Sequence, residues 1–156
     1  MKTLHTMVTA HLKERKFNFT YHNERSVFEF GVTGENGNWK VFVGIQEEKR
    51  IIQIISICPI NTPLSQQLQM CELLNRINYN IILGKFSMDF NDGEVSYQTA
   101  GIYSDVELSE QCLYHLIQTN FRSFDEYLPA IIAVDYRHNE PLLAFLETQQ
   151  NEPSLN

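Results

Sequence analysis

The stretch LLNRINYNIILGKFSMDFNDGEVSYQ, residues 73–98, decides the fold class, because its apolar pattern changes from helical to strand-like along its length. Its first half continues a helix that is predicted to begin with Thr62 as N-cap and Pro63 in the first helical position. Gly84 falls where a left-handed helix cap is expected. The apolar stripe of this helix is Met70, Leu73, Leu74, Ile77 and Ile81.

The second half of the stretch predicts a β-hairpin. Apolar and polar residues alternate over residues 86–90 and again over residues 95–97. The turn between them is predicted at Asn91, Asp92 and Gly93. Asp-Gly is typical of type I′ turns, whose two central residues need positive φ.

Asn75 and Asn78 lie beside the apolar stripe of the predicted helix. A buried asparagine needs partners for both its carbonyl and its amide. The helix must pack on strands and reach the hairpin, so backbone groups there are natural partners. We therefore predict a structural role for both residues; the alternative is a polar contact in a cleft or a dimer seam.

Alternating segments joined by short polar turns precede this stretch and predict an antiparallel meander over residues 17–58. Residues 51–57 are β-branched and apolar on both faces, which places them near the centre of the predicted sheet. The apolar faces of two earlier strands are Phe28, Phe30, Val32, Trp39, Val41, Val43 and Ile45.

Helical spacing predicts a helix at the N-terminus and further helices in the C-terminal third of the chain. Ser109 is the expected N-cap of the first C-terminal helix. The capping-box motif Ser123-Phe124-Asp125-Glu126 predicts that a new helix begins there, and with Asp125 as its cap Pro129 would fall in the first turn, where a proline is tolerated. Thr3 is the expected N-cap of the N-terminal helix, whose stripe is Leu4, Met7, Val8, His11 and Leu12.

The sequence Asn139-Glu140-Pro141 predicts a last short helix with the most conspicuous apolar cluster outside the predicted core. This cluster either packs back onto the same domain or forms an interaction surface. Residues 148–156 are predicted to be a disordered tail, which leaves residues 1–147 as a single domain. The cluster consists of Leu142, Leu143, Phe145 and Leu146.

The net charge of -7 is unevenly distributed. Residues 1–78 carry nine Lys/Arg and seven Asp/Glu, a net charge of +2, whereas residues 79–156 carry three and twelve, a net charge of -9. Clustered cations for phosphate groups are therefore absent from the C-terminal half, and no nucleic acid is expected as a partner. No apolar run approaches the roughly 20 residues of a membrane span. We expect a cytoplasmic protein that does not bind membranes.

No known catalytic or metal-binding motif is present in the sequence. A calcium loop beginning at Asp89 would place Gly93 and Ala100 at positions that need oxygen ligands. The five histidines form no pair at metal-binding spacing, and the neighbouring carboxylates are typical of caps, turns and solvated faces. We predict no catalytic residue, no metal and no cofactor.

The motifs CPINTP, LLNRINYN, GKF and NDGEVSY together resemble the YbjN-like family, a group of small bacterial proteins. The resemblance extends over about residues 3–138 and rests on Pro59, Pro63, Asn78, Gly84 and Gly93, among others. It implies a fold like that of type III secretion chaperones, which are acidic homodimers that hold extended peptide segments. Family members are described as regulators of sensory transduction or stress, without an established enzymatic activity.

The sequence thus predicts a two-layer α+β fold, with a mainly antiparallel sheet and helices on one face. The predicted function is a non-enzymatic protein-interaction module, chaperone-like or regulatory, that forms a homodimer and binds an unidentified protein or peptide. The alternative is a small-molecule-binding protein or enzyme with a pocket between sheet and helices. Such a pocket would be lined by aromatic residues such as Phe30, Trp39 and Phe86.

Overall fold

The computed structural model describes residues 1–150, which form six strands and four α-helices. The strands are β1 (Phe19–His22), β2 (Val27–Thr33), β3 (Asn38–Gln46), β4 (Ile51–Asn61), β5 (Lys85–Met88) and β6 (Glu94–Ile102). The helices are α1 (Leu4–Glu14), α2 (Gln67–Asn80), α3 (Glu110–Arg137) and α4 (Pro141–Gln150).

The six strands form one sheet in the order β1-β2-β3-β4-β6-β5, and every neighbouring pair is antiparallel. The predicted α+β fold with an antiparallel sheet is therefore confirmed. The meander and the hairpin join because β6 pairs with β4, which places the isoleucine-rich strand in the middle of the sheet. Side chains on one face of the strands are buried against the helices. On the other face Phe42, Ile55 and Ile57 stay partly exposed.

The first helix begins as predicted. The hydroxyl of Thr3 accepts a hydrogen bond from the Thr6 N–H at 3.1 Å, which makes it the N-cap of α1. The carboxylate of Glu47, in the turn between β3 and β4, accepts the N–H groups of Leu4 and His5. Every residue of the predicted apolar stripe is buried.

The second helix differs from the prediction at both ends. A 3₁₀ turn at Leu64–Gln66 precedes α2, and Thr62 does not cap it, because its hydroxyl instead donates to Asp135 at 3.3 Å. At the other end the helix stops at Asn80, so Gly84 is not its cap.

Gly84 is required for a different reason. It has φ +73°, and a Cβ there would lie 2.5 Å from the Tyr97 hydroxyl. The missing side chain lets that hydroxyl donate to the Leu83 carbonyl at 2.7 Å.

The turn between β5 and β6 contains Asn91, Asp92 and Gly93, but it is not of type I′. Only Gly93 in the turn has positive φ, at +78°, whereas a type I′ turn needs two such residues. Two side chains organise the turn instead. The Asp89 carboxylate accepts the Asn91 N–H at 2.8 Å, and the Asp92 carboxylate accepts the Glu94 N–H at 2.9 Å.

The two asparagines of α2 have different environments. Asn78 donates its amide to the Phe86 carbonyl at 2.9 Å and accepts the Phe86 N–H at 2.8 Å. It thereby joins α2 to β5 in the way that one strand joins another. Asn75 is exposed, which corrects the structural role predicted for it. It lies 100° around the helix from Leu74, and this angle carries it beyond the buried arc.

The chain from Ser109 onward forms one long helix rather than two. The hydroxyl of Ser109 caps α3 by accepting the Cys112 N–H at 3.0 Å, as predicted. The helix then continues through the predicted restart at Asp125 and contains Pro129 in its interior. The expected second N-cap is therefore wrong.

Contacts with the turn between β2 and β3 explain why α3 does not break. The carboxylate of Asp125 accepts the backbone N–H groups of Glu35 and Asn36, each at 2.9 Å, so it is not available as a cap. Pro129 has no N–H for the Asp125 carbonyl four residues earlier. The side-chain amide of Asn36 donates to that carbonyl at 3.0 Å and replaces the missing bond.

The last helix, α4, packs against α2 and α3. Its buried residues are Pro141, Ala144 and Thr148, and the Thr148 hydroxyl donates to the Phe145 carbonyl at 2.6 Å. Because α4 extends to Gln150, residues 148–150 are helical, which corrects the predicted start of the tail. The remainder of the predicted tail, residues 151–156, lies outside the described residues.

Candidate interaction surfaces

The predicted apolar cluster of α4 is divided between the core and the surface. Phe145 is partly buried against the core. Leu142, Leu143 and Leu146 are 42%, 55% and 44% exposed. The helix is anchored through its smaller residues, so its leucines point away from the domain. The sequence pattern alone left both orientations open.

The neighbouring helix α2 and the segment that follows it add further exposed apolar side chains. Thirteen large apolar residues are exposed among the described residues, and eight of them belong to these two helices and their flanking segments. Their exposure is thus concentrated, whereas scattered apolar residues are ordinary on a protein surface. We call this set the α2–α4 surface: Leu64, Leu68, Tyr79, Ile82, Leu83, Leu142, Leu143 and Leu146.

Of the three aromatic residues proposed to line a pocket, Phe30 and Phe86 fill the space between sheet and helices, whereas Trp39 packs in the core and also lines a groove. The Phe86 ring packs on the rings of Tyr97 and Phe124, with centroids 4.6 and 6.4 Å away. Trp39 packs on Phe124 at 4.9 Å, and Phe30 is 3% exposed. These side chains therefore form core contacts.

A wide groove of about 1460 Å³ lies between the β2–β3 turn, α3 and α4, and the core residues Trp39 and Phe121 form part of its lining. Its charged lining is mixed, since Arg122 and Arg137 occur together with Asp125, Glu126 and Glu147. Asp125 already binds the β2–β3 turn.

A buried polar cluster connects α3 to the centre of the sheet. The Trp39 indole N–H donates to the Ser56 hydroxyl at 3.0 Å, and this hydroxyl donates to the Asn120 carbonyl oxygen at 2.6 Å. The Asn120 amide donates to the Ile54 carbonyl and the Thr99 hydroxyl, each at 3.1 Å. Because these polar groups satisfy one another, the cluster is structural. Its only sequence signal is an asparagine on an apolar helical stripe.

Two buried ionisable groups lie where β4 meets α2. Burial raises the pKa of Asp135 to about 6, against a weaker opposing hydrogen bond from Thr62. Burial also raises the pKa of the Cys58 thiol to about 11, so it stays protonated at neutral pH and is a poor nucleophile. Neither group lines the groove.

Within residues 1–150, no group of three or more His, Cys, Asp or Glu side chains is arranged to hold a metal ion. In the same part of the chain, no helix is both long enough and apolar enough to cross a membrane.

The fold places the chain in the class of two-layer α+β proteins with an antiparallel sheet. The chain belongs to the YbjN family, whose model, described as "Putative bacterial sensory transduction regulator", matches residues 5–133. The resemblance noted in the sequence is therefore confirmed. Helix α4 follows the matched region, so the three exposed leucines lie outside the part that the family model describes. No curated protein matches the chain.

Solved structures support the fold assignment. The crystal structure of YbjN from E. coli, titled a "putative transcription regulator", has a TM-score of 0.64 and 9% identity. The match covers 88% of this chain and 97% of that one. An uncharacterized protein from Methanothermobacter thermautotrophicus has a TM-score of 0.53 and 15% identity, covering 95% and 98% of the two chains. The HopA1-SchA chaperone-effector complex is a weaker match, with a TM-score of 0.49 and 11% identity over 75% and 86% of the two chains, and the fold assignment does not rest on it.

Proposed function

We propose that this protein is a non-enzymatic protein-interaction module, regulatory or chaperone-like in its role. It forms a homodimer and binds a further protein or peptide in the cytoplasm. The regulatory role agrees with the description of its family.

The concentration of exposed apolar side chains on the α2–α4 surface carries this proposal. Leu68, Tyr79 and Ile82 are 78%, 94% and 97% exposed, so each keeps most of its apolar area in water. Covering such area contributes roughly 25 cal/mol per Å², which favours association with another apolar surface. An amphipathic helical surface of this kind is a common docking site for proteins and peptides.

Native mass spectrometry of the protein purified gently from its host tests the proposal. We expect a dimer mass, a reproducible protein partner, or both. A stoichiometric small-molecule or metal mass would contradict the proposal and favour the ligand-binding alternative.

Two triple variants connect that result to the surface. Leu142→Ser, Leu143→Ser and Leu146→Ser together should abolish the association. The matched control combines Phe90→Ser, Ile102→Ser and Val106→Ser, which replace three exposed apolar residues elsewhere. Equal loss in both variants would show that general surface hydrophobicity, rather than α4, accounts for the association.

A further inference from the structure

The two outer strands of the sheet differ in how their free edges are covered. At one end, α2 packs beside β5, and the Asn78 side chain occupies both outward backbone groups of Phe86. At the other end lies β1, which within residues 1–150 pairs only with β2.

The register of the sheet identifies which groups of β1 point outward. The Ile45 N–H donates to the Ser26 carbonyl at 3.0 Å, so even-numbered residues of β2 direct their backbone groups towards β3. Odd-numbered residues of β2 therefore face β1, where Glu29 pairs with Thr20. Because backbone groups alternate in direction along a strand, those of Phe19 and Tyr21 point away from the sheet. Among the described residues, no hydrogen bond reaches them.

The aromatic side chains along this edge are only partly covered, and the Tyr21 ring also packs on the His5 ring of α1 at 4.5 Å. Phe17, Phe19 and Tyr21 pack against the core but are only partly buried. The Phe19 ring contacts Phe28 at 5.7 Å, and the Tyr21 ring contacts it at 4.6 Å. A strand added beside β1 would cover the outer sides of these rings while its backbone pairs with Phe19 and Tyr21.

The charge at this edge identifies the kind of strand. Residues 15–25, which contain β1 and both of its flanking segments, carry three Lys/Arg and one Asp/Glu, a net charge of +2. The whole chain carries -7. Lys16 lies just before β1 and Arg25 just after it, and both are exposed. Two copies meeting at β1 would bring like charges together, whereas an acidic strand would be attracted at both ends.

We propose that the β1 edge binds an extended acidic segment of a partner protein by strand addition, with alternate apolar residues placed over Phe19 and Tyr21. This site rests on the proposed interaction function and is distinct from the α2–α4 surface, since β1 and β5 lie at opposite ends of the sheet.

Fluorescence anisotropy with labelled synthetic octapeptides tests the site. The probe alternates valine with glutamate, and its matched control alternates valine with lysine. A third peptide repeats the acidic sequence with N-methyl groups on its valines, which are the residues placed opposite Phe19 and Tyr21. These methyl groups remove the hydrogen-bond donors that would face β1. We expect the acidic peptide to bind at least tenfold more tightly than either control at low salt. Equal binding of the N-methylated peptide would overturn strand addition.

Variants of the full chain locate the bound peptide. Lys16→Glu with Arg25→Glu should weaken binding of the acidic peptide at least tenfold. Lys49→Glu with Lys85→Glu introduces the same change in charge at two exposed positions outside β1 and should change binding less than twofold. Tyr21→Pro removes an outward N–H while leaving the inward bonds of Thr20 and His22, and should abolish binding. Equal losses in the two charge-reversal variants would overturn the location.

The two surfaces can fail independently. If the native partner is lost only on substitution of the α4 leucines, and the acidic peptide does not bind, the interaction function stands and the β1 site is wrong. If the β1 variants lose peptide binding and the native complex lacks any partner protein, the edge binds acidic strands while the proposed function fails.

Discussion

The β5 and β1 edges belong to one sheet, but they differ in how far other parts of the domain cover them. The β5 edge is overlaid by α2, and an asparagine side chain replaces the neighbouring strand at Phe86. On the β1 edge, the outward backbone groups of Phe19 and Tyr21 have no partner in the described part of the chain, and their aromatic rings are only partly buried. Free sheet edges are sites of unwanted pairing, so proteins usually cover them. Closing one edge while leaving the other open limits strand addition to a single end of the molecule.

The largest expected difference between the two ends is in packing. Phe86 on β5 is 3% exposed and contacts three aromatic rings. Phe86→Ala should lower the free energy of unfolding by about 3–5 kcal/mol. Phe19→Ala on β1 should cost no more than about 1.5 kcal/mol, because its ring is only partly buried. Urea denaturation measures both, and similar losses would contradict the difference between the ends.

Two buried ionisable groups, Asp135 on α3 and His11 on α1, should give stability opposite dependences on pH. Asp135 and Thr62 adjoin the β5–β6 turn, where the Thr62 N–H donates to the Gly93 carbonyl. Burial raises the Asp135 pKa from 3.8 to about 6, so the folded state binds the proton more tightly than the unfolded chain. Stability should therefore fall as pH rises from about 4 to about 6, by an amount on the order of 3 kcal/mol. Asp135→Asn should remove this fall, as measured by urea titrations across that range.

His11, on α1, contributes with the opposite sign. Burial, reinforced by the nearby Arg15, lowers the pKa of its imidazole below 6.5. The folded state therefore binds the His11 proton more weakly than the unfolded chain, and the free energy of unfolding should decrease as pH falls below 6.5. His11→Gln should remove this acid-side loss while leaving the Asp135 effect in place.

If Asp135→Asn left the stability profile between pH 4 and 6 unchanged, the buried carboxyl of Asp135 would not be the cause of the fall in stability over that range.

A smaller effect is expected from opening the closed edge. Asn78→Ala removes two hydrogen bonds and should cost about 2 kcal/mol. The matched control is Asn75→Ala, which changes an exposed asparagine on the same helix and should cost less than about 0.5 kcal/mol. Asn78→Ala should also increase self-association in light scattering, because the backbone of Phe86 becomes available. An equal cost for the two substitutions would contradict the role of Asn78 in closing the edge.

The smallest effect on stability is expected at α4. Leu143→Ser replaces a side chain that is 55% exposed, so we expect a change of no more than about 0.5 kcal/mol. Ala144→Asp, next to it, would bury a charge at a site that is 1% exposed and should be strongly destabilising. Thermal unfolding of the two variants would determine whether α4 is anchored by its alanine face, and a larger loss for Leu143→Ser would contradict this.

The sequence predicted most of the fold because the relevant patterns are local. The stripe of α1, the alternation in β2 and β3 and the cap at Ser109 depend on residues close in the chain. The break at Asp125 was predicted wrongly because the decisive contacts come from Glu35 and Asn36, some 90 positions away. The backbone partners of the Asp125 carboxylate could not be predicted without knowing how the sheet packs on α3. The same holds for the Asn36 amide, which replaces the missing N–H of Pro129.

The candidate surfaces were less predictable for the same reason. Leu142, Leu143, Phe145 and Leu146 had been identified as a cluster, but their pattern could not determine which side of α4 meets the domain. The burial of Ala144 on α4, which packs against α2 and α3, decides it. The β1 edge was not predicted as a site, because its exposure depends on strand order, which no local pattern reveals.

Site-specific photocrosslinking in host cells would test the interaction function most directly. Benzoylphenylalanine is introduced at Leu143 on the α2–α4 surface and, as a control, at Val106, which is 66% exposed in the segment before α3. The interaction function predicts discrete crosslinked species at Leu143, either to a second copy or to a partner protein, that are absent at Val106. Identical crosslinking at both positions, or none at Leu143, would contradict it.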